Sequence, residues 1–152
     1  MLLRQRRLRE DPGLRFLTFM CLLQYLMNRH FIIENSGASE IYTKSPLAAL
    51  RGLSLHSSRL DQCMYGAKLE NQTLQKSSMF VSDVPLRDLD KSCDHTHTHL
   101  PLVGSGPNGS RTASAARYPV ALCDAILVNI NQMTTTPRDG GRKMPSYTFK
   151  EP

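Results

Sequence analysis

Leu14, Leu17, Met20, Cys21 and Leu22 recur at helical spacing within an apolar run over 16–27, which predicts a buried helix with a wide apolar face. Pro12-Gly13 just before it is expected to break the chain. After Asn28-Arg29 the short run His30-Phe31-Ile32-Ile33 has the β-branched and aromatic character of a buried strand, ending in the polar Glu34-Asn35-Ser36-Gly37. Ser45-Pro46 can cap a second helix over 47–51 that stops at Gly52. A strand is expected over 53–63, a turn at Tyr65-Gly66, and a further strand through Met79-Phe80-Val81. Pro85 opens a short predicted helix through Asp90, and 92–111 reads as a loop. Tyr118-Pro119 starts a last helix with Leu122, Ala125, Ile126 and Ile130 on its apolar side. Helix, break, strand and polar loop in alternation is the local grammar of an α/β sheet.

Composition and charge narrow this picture. With 152 residues, 40% of them hydrophobic, the chain can build one modest domain but not a complete two-domain cofactor enzyme. The expected division is a basic N-terminal arm over 1–13, an α/β domain over 14–130, and a flexible tail over 131–152 that is rich in Thr, Gly and Pro. The net charge of +6 favours anionic partners, and Arg4, Arg6, Arg7 and Arg9 place part of it on the arm. Basic residues followed by an apolar run resemble a secretory leader, yet Asn28-Arg29-His30 stands where a small-x-small cleavage site belongs. No run reaches the roughly 20 apolar residues of a membrane span, so no membrane partner is expected. Four cysteines without regular spacing do not make a disulfide framework, which points to a reducing, cytoplasmic or nuclear compartment.

The most unusual local chemistry is Cys93-Asp94-His95-Thr96-His97-Thr98-His99. Cysteine and histidine are the usual zinc ligands, and a closed structural site needs four of them. On an extended segment His95, His97 and His99 would point to one side together with Cys93, and Cys63 could reach them from the preceding strand. A zinc site drawn from Cys63, Cys93, His95, His97 and His99 is therefore expected, without paired Cys-x-x-Cys knuckles. Gly104-Ser105-Gly106-Pro107-Asn108-Gly109 matches a dinucleotide fingerprint letter for letter, but Pro101 interrupts the strand that should precede it, so a surface loop is the better reading. Glu34-Asn35 sits at the carboxyl end of a predicted strand, where open α/β sheets bind ligands. No Gly-x-Ser-x-Gly elbow supports a nucleophilic triad.

Three blocks taken in order carry a more specific likeness. They are Arg29-His30-Phe31-Ile32-Ile33-Glu34-Asn35 with Ser39, then Leu60-Asp61-Gln62-Cys63-Met64-Tyr65-Gly66-Ala67, then Arg111-Thr112 with Ala115 and Tyr118-Pro119-Val120-Ala121-Leu122-Cys123. Over about residues 14–130 the chain resembles the C-terminal half of a methyltransferase-like domain in copia-type gag-pol polyproteins of retroelements from dinoflagellates and other protists. That domain is similar in turn to the cytosine-5 DNA methyltransferases. The resemblance implies a partial Rossmann-like sheet. It places recognition of an extruded base on Glu34, with Asn35 shaping the turn and Tyr65, Gly66 and Lys76 supporting the target side. Ser36 departs from the proline of the family pattern, and Gln75-Lys76-Ser77-Ser78 departs from its Lys-x-Thr element. The half that would bind S-adenosylmethionine and carry a Pro-Cys nucleophile is absent from this chain, and no Pro-Cys dipeptide occurs in it.

The first reading is accordingly a retroelement-derived, methyltransferase-like fragment, inactive by itself, that would meet S-adenosylmethionine only when an upstream half is supplied. The second is a small zinc-stapled module that binds nucleic acid through its basic arm.

Overall fold

A computed structural model describes residues 2–106 and 109–135, with the side chains of residues 2–4 and 6–8 left aside. The expected tail therefore lies outside the described residues from position 136 onwards. At the other end of the chain, α1 runs unbroken from Leu2 to Leu26, with Pro12 inside it. The expected arm at 1–13 is thus helical from residue 2 and continuous with the apolar helix. Pro12 removes one backbone hydrogen bond, but an Arg15–Asp11 ion pair at 2.6 Å spans the same turn. Leu14, Leu17, Cys21, Leu22 and Tyr25 then dock the helix on the body of the protein.

β1 (Ile32–Ser36), α2 (Ile41–Lys44), a 3₁₀ turn (Pro46–Gly52) and β2 (His56–Asp61) follow. Ser45 caps the 3₁₀ turn as expected, its Oγ accepting from Leu47 N at 3.1 Å. A second 3₁₀ turn (Gln62–Tyr65) ends on Gly66 at φ +80°, a left-handed cap that suits glycine. The hairpin β3 (Lys68–Leu69) and β4 (Gln72–Thr73) then leads into β5 (Ser77–Ser82).

The sheet order is β1-β5-β2, and both pairings are antiparallel. The class is mixed α/β, yet the parallel sheet expected from the alternation of helix and strand is not what these strands form. A parallel return needs a crossover of a dozen or more residues, usually a helix. The chain between β2 and β5 holds only a 3₁₀ turn and a hairpin whose tip, Glu70-Asn71, has φ +53° and +61°. That tip reverses the chain, so β5 enters antiparallel. The helix expected at 85–90 is a turn instead, with Asp88 at φ +56°. Asn129 holds it open, accepting from Arg87 N at 2.7 Å and donating to Arg87 O at 3.1 Å.

The two faces of the sheet bury different partners. Ile33 looks toward α1 and the first 3₁₀ turn, joining Cys21, Tyr25, Phe31, Leu47, Leu50 and Leu53. Leu60 and Phe80 look the other way, packing with Tyr65, Leu86, Leu89, Leu122 and Met133. Leu122 and Met133 belong to α4 (Val120–Thr135), which starts where expected and outruns its predicted end at Ile130. A third, smaller cluster of Ala67, Leu74, Leu100 and Ala115 lies beyond the sheet. Here β6 (Ser105–Gly106) pairs with β7 (Gly109–Ser110), followed by α3 (Arg111–Ser114). Among the described residues no helix is long and apolar enough to cross a membrane.

Candidate metal centre

The path of residues 88–93 along the outer edge of β2 builds this site. Asp90 Oδ1 accepts from Arg59 N at 2.6 Å, Lys91 O accepts from Asp61 N at 2.8 Å, and Asp61 Oδ2 accepts from Cys93 N at 2.9 Å. These bonds occupy backbone groups of β2 that an exposed edge would leave open. They also bring Cys93 to Cys63, which the second 3₁₀ turn presents at the end of the same strand. Both cysteines are buried.

From Cys93 the chain loops back on itself. Asp94 Oδ1 accepts from Thr96 N at 3.1 Å and Thr96 Oγ1 at 2.9 Å. His95 adopts φ +58° with its N–H directed at Cys93 Sγ, 3.3 Å away. The far end is pinned by a parallel bridge between Leu100 and Leu74, with Leu100 N donating to Thr73 O at 2.8 Å. The result aims the Nε2 atoms of His97 and His99 at Cys93 Sγ, at 3.7 and 3.5 Å. One ligand atom from each of Cys63, Cys93, His97 and His99 lies within 4.8 Å of the other three.

That donor set fits zinc. Zn–S near 2.3 Å and Zn–N near 2.05 Å at a tetrahedral angle put sulfur and nitrogen about 3.6 Å apart. The two measured S···N separations bracket this value. Four protein donors leave no open position, the mark of a structural rather than a catalytic centre. Asp94 Oδ1 lies 3.6 Å from His97 Nδ1, so this carboxylate stands behind the ring on the side away from the ligand atoms. The paired Thr96 bonds hold the Asp94 carboxyl below its usual range. Burial, reinforced by the neighbouring Cys93, pushes the Cys63 thiol up to about 11. A divalent cation between the sulfurs reverses that preference, because it binds the thiolate.

His95 is the one expected ligand that the structure leaves out. The expectation assumed an extended segment, whereas the left-handed residue turns the chain at His95 and leaves its side chain exposed.

The residues singled out by resemblance are dispersed. Successive strand residues face opposite ways, so Glu34 lies on the α4 side of the sheet and Asn35 on the α1 side. Asn35 Oδ1 accepts from Ser36 N at 2.7 Å, and the residue lines a cavity of about 1110 Å³ between α1 and the segment around Ser39 and Lys44. Glu34 Oε1 accepts from Ser78 Oγ at 2.7 Å, and Ser78 accepts in turn from the fully buried Gln62 at 2.9 Å. Burial, with the Glu34 carboxylate nearby, holds the Tyr118 hydroxyl's pKa well above the usual value. Lys76 Nζ donates to Ala115 O at 3.1 Å and sits 5.5 Å from the Tyr118 ring centre. Glu34 and Lys76 thus converge on Tyr118, a residue the sequence did not single out for chemistry. Tyr65 is a packing residue, bonded to Leu89 O at 2.8 Å with Lys91 above its ring. Gly66 is the helix cap. The two ends of the Gly104–Gly109 fingerprint pair antiparallel as β6 and β7, with Gly104 and Gly109 at φ +86° and +96°, and β7 leads only into a one-turn helix.

No family model, curated protein or solved structure matches this chain.

Proposed function

We propose that this chain is a small zinc-stapled module that binds nucleic acid. The observation that carries the reading is the convergence of one ligand atom each from Cys63, Cys93, His97 and His99 within 4.8 Å of one another. Zinc here does no chemistry on a substrate; it fixes the loop over 93–100 against the end of β2. The net charge of +6 and the exposed Arg9, Arg15, Arg59 and Lys91 favour phosphate contacts. Arg59 and Lys91 border the strand edge from which the staple is built. A cytoplasmic or nuclear setting would keep the two thiols reduced and available to the metal.

Metal analysis of purified chain tests the first half: one zinc per chain is expected, and Cys93→Ala should abolish it. Cobalt substitution should give the visible absorption of a tetrahedral site with two sulfur ligands. Fluorescence anisotropy with labelled DNA and RNA tests the second half. Affinity should fall steeply and linearly on a log–log scale with salt, with little preference among sequences. Zinc-loaded chain whose binding ignores salt, or which binds neither nucleic acid, would remove the nucleic-acid reading and leave the staple standing.

One observation favours a second reading, the inactive methyltransferase-like fragment of a retroelement polyprotein. Glu34 and Lys76, the two charged residues singled out by that resemblance, meet at Tyr118. On this reading a separate upstream half would pair along the open edge of β1 and bring S-adenosylmethionine with it. The two readings are compatible, since the family segment is itself rich in cysteine and histidine. Addition of a separately expressed upstream half should yield a stable complex and S-adenosylmethionine binding that the isolated chain lacks.

A further inference from the structure

The side of α1 turned away from the sheet carries large apolar residues in the open. Leu14, Leu17 and Cys21 dock the helix on the core, and Phe16, Phe19 and Leu23 each follow one of them by two positions. Two positions turn about 200° round a helix, so the second set faces the opposite way. Phe16 is 65% exposed and Phe19 58%, Leu23 is half-buried, and Leu26 and Met27 continue the strip as exposed residues. No charged residue interrupts the sequence from Phe16 to Met27. The cations stand at its two ends. Arg4, Arg6, Arg7, Arg9 and Arg15 precede it in α1, against Glu10 and Asp11 alone, and Arg29 follows it. Arg9, Arg15 and Arg29 are exposed.

From this we infer that the outer face of α1 is a docking surface for an anionic lipid bilayer, on which the helix lies in the plane of the interface. An interfacial helix sinks an apolar strip about 5–10 Å into the boundary between headgroups and acyl chains and keeps its arginines at the level of the phosphates. α1 supplies both parts on one element. A helix that lies on a membrane does not need the apolar length that spanning requires, so the lack of a spanning helix among the described residues excludes only a crossing.

Charge complementarity selects this occupant. Even with Asp11 paired to Arg15 at 2.6 Å, the arginines of α1 outnumber its acidic residues. A second copy of the chain would bring arginines against arginines. A nucleic acid would take the arginines but leave Leu23, Leu26 and Met27 in water. A peptide helix docks in a groove, whereas the face of a single helix is convex. A bilayer with anionic headgroups answers both the charge and the apolar strip. Neither attraction is strong alone, so binding is reversible and rises steeply with anionic lipid content. The surface does not depend on the nucleic-acid reading, although both draw on Arg9 and Arg15.

Flotation of the full, zinc-loaded chain with vesicles reads the proposal. Phosphatidylcholine vesicles with about 30% phosphatidylserine should carry the chain at least about tenfold more strongly than phosphatidylcholine alone, and added salt should weaken the binding. Phe16→Ser combined with Phe19→Ser should cut that partition at least about tenfold with an unchanged melting curve, since both side chains are exposed. The sequence has no tryptophan, so Phe19→Trp places a single reporter on the strip. Its emission should shift to the blue on anionic vesicles and be quenched by brominated acyl chains, a reading that does not depend on how the double variant folds. No flotation with either vesicle overturns the inference, as does equal flotation with both. So does a Phe19→Trp reporter that stays unquenched on bound protein, which would mean that the arginines adsorb while the strip remains in water. Loss of DNA or RNA affinity by the double variant as large as its loss of partition would give the face to nucleic acid and overturn it too.

Discussion

The α1 side of the sheet and the region beyond β2 are held together by different means. On the α1 side, Leu47, Leu50, Phe31, Ile33, Cys21 and Tyr25 form a cluster of mostly large side chains, with Leu14, Leu17 and Leu22 packed around it. Beyond β2, the buried apolar residues are Ala67, Leu74, Leu100 and Ala115, two of them alanines. At roughly 25 cal/mol per Å² the second group stabilises far less than the first. Its strands are two residues long, and most of its backbone is loop. What this region has instead is a set of four metal donors on two segments distant in sequence. Where apolar area is scarce, a structural metal can supply the missing cohesion, as it does for other small domains.

The sharpest way to break this contrast is to withdraw the metal. Structural zinc contributes on the order of 10 kcal/mol or more to small domains that depend on it. Chelation, or Cys93→Ala, should release residues 66–74 and 93–106 to fast amide exchange while α1 and the three strands β1, β5 and β2 stay protected. Hydrogen exchange followed by mass spectrometry resolves the two regions. Uniform loss of protection would show one cooperative unit instead. Next in size is Leu47→Ala on the other side. Leu47 is almost fully buried, and truncation there should cost about 2–5 kcal/mol in a denaturant melt, with zinc stoichiometry intact.

Titration separates the loaded and unloaded forms. The Cys63 thiol is raised from 9.0 to about 11 by burial. A group whose folded pKa is raised lends stability below its unfolded value and loses it as pH climbs through the folded one. Metal-free chain should therefore weaken between about pH 9 and 11. In the zinc form Cys63 is already a thiolate, so that loss should be absent. Thermal melts of both forms across this interval decide the point.

How far these features were legible in the sequence depends on their range. Ser45-Pro46, the Ile32-Ile33 strand, Tyr65-Gly66 and the start of α4 follow from residues next to one another, and each lies where its local signal puts it. The direction of the strands was not legible. It depends on Glu70-Asn71 taking positive φ, and a Glu at such a position gives no warning. Pro12 misled because its break signal competes with an apolar face whose docking site is remote in sequence. At the metal centre the residue types were plain, and Cys63, Cys93, His97 and His99 were all anticipated. The exclusion of His95 was not, because parity assumes extended backbone and one left-handed residue cancels it. Tyr118, which gathers Glu34 and Lys76, drew no chemical reading because it looked like the start of a helix.

A smaller effect tests the support behind the metal. Asp94 does not ligate, but its carboxylate orients His97 from 3.6 Å. Asp94→Asn should lower zinc affinity about 10–100-fold without changing the ligand number. Competition with a chromophoric chelator measures this. An unchanged affinity would mean that the Leu100–Leu74 bridge and the Thr96 turn alone fix the ring.

The smallest effect is expected at His95, and it separates the folded site from the alternating pattern in the sequence. If the loop were extended, His95 would be as good a ligand as its two neighbours, and its removal would cost metal. In the folded loop its backbone N–H faces Cys93 Sγ while its side chain is exposed. A bond from N–H to a metal-bound sulfur survives any side-chain truncation. His95→Ala should therefore keep one zinc per chain and the same cobalt spectrum. His97→Ala and His99→Ala should each remove a nitrogen ligand and distort that spectrum. His95→Gly relaxes the same left-handed backbone, where glycine is unstrained, and should bind zinc as well as or slightly better than the parent chain. If His95→Ala and His95→Gly both lose the metal, the loop ligates in an extended form and the four-residue centre is wrong.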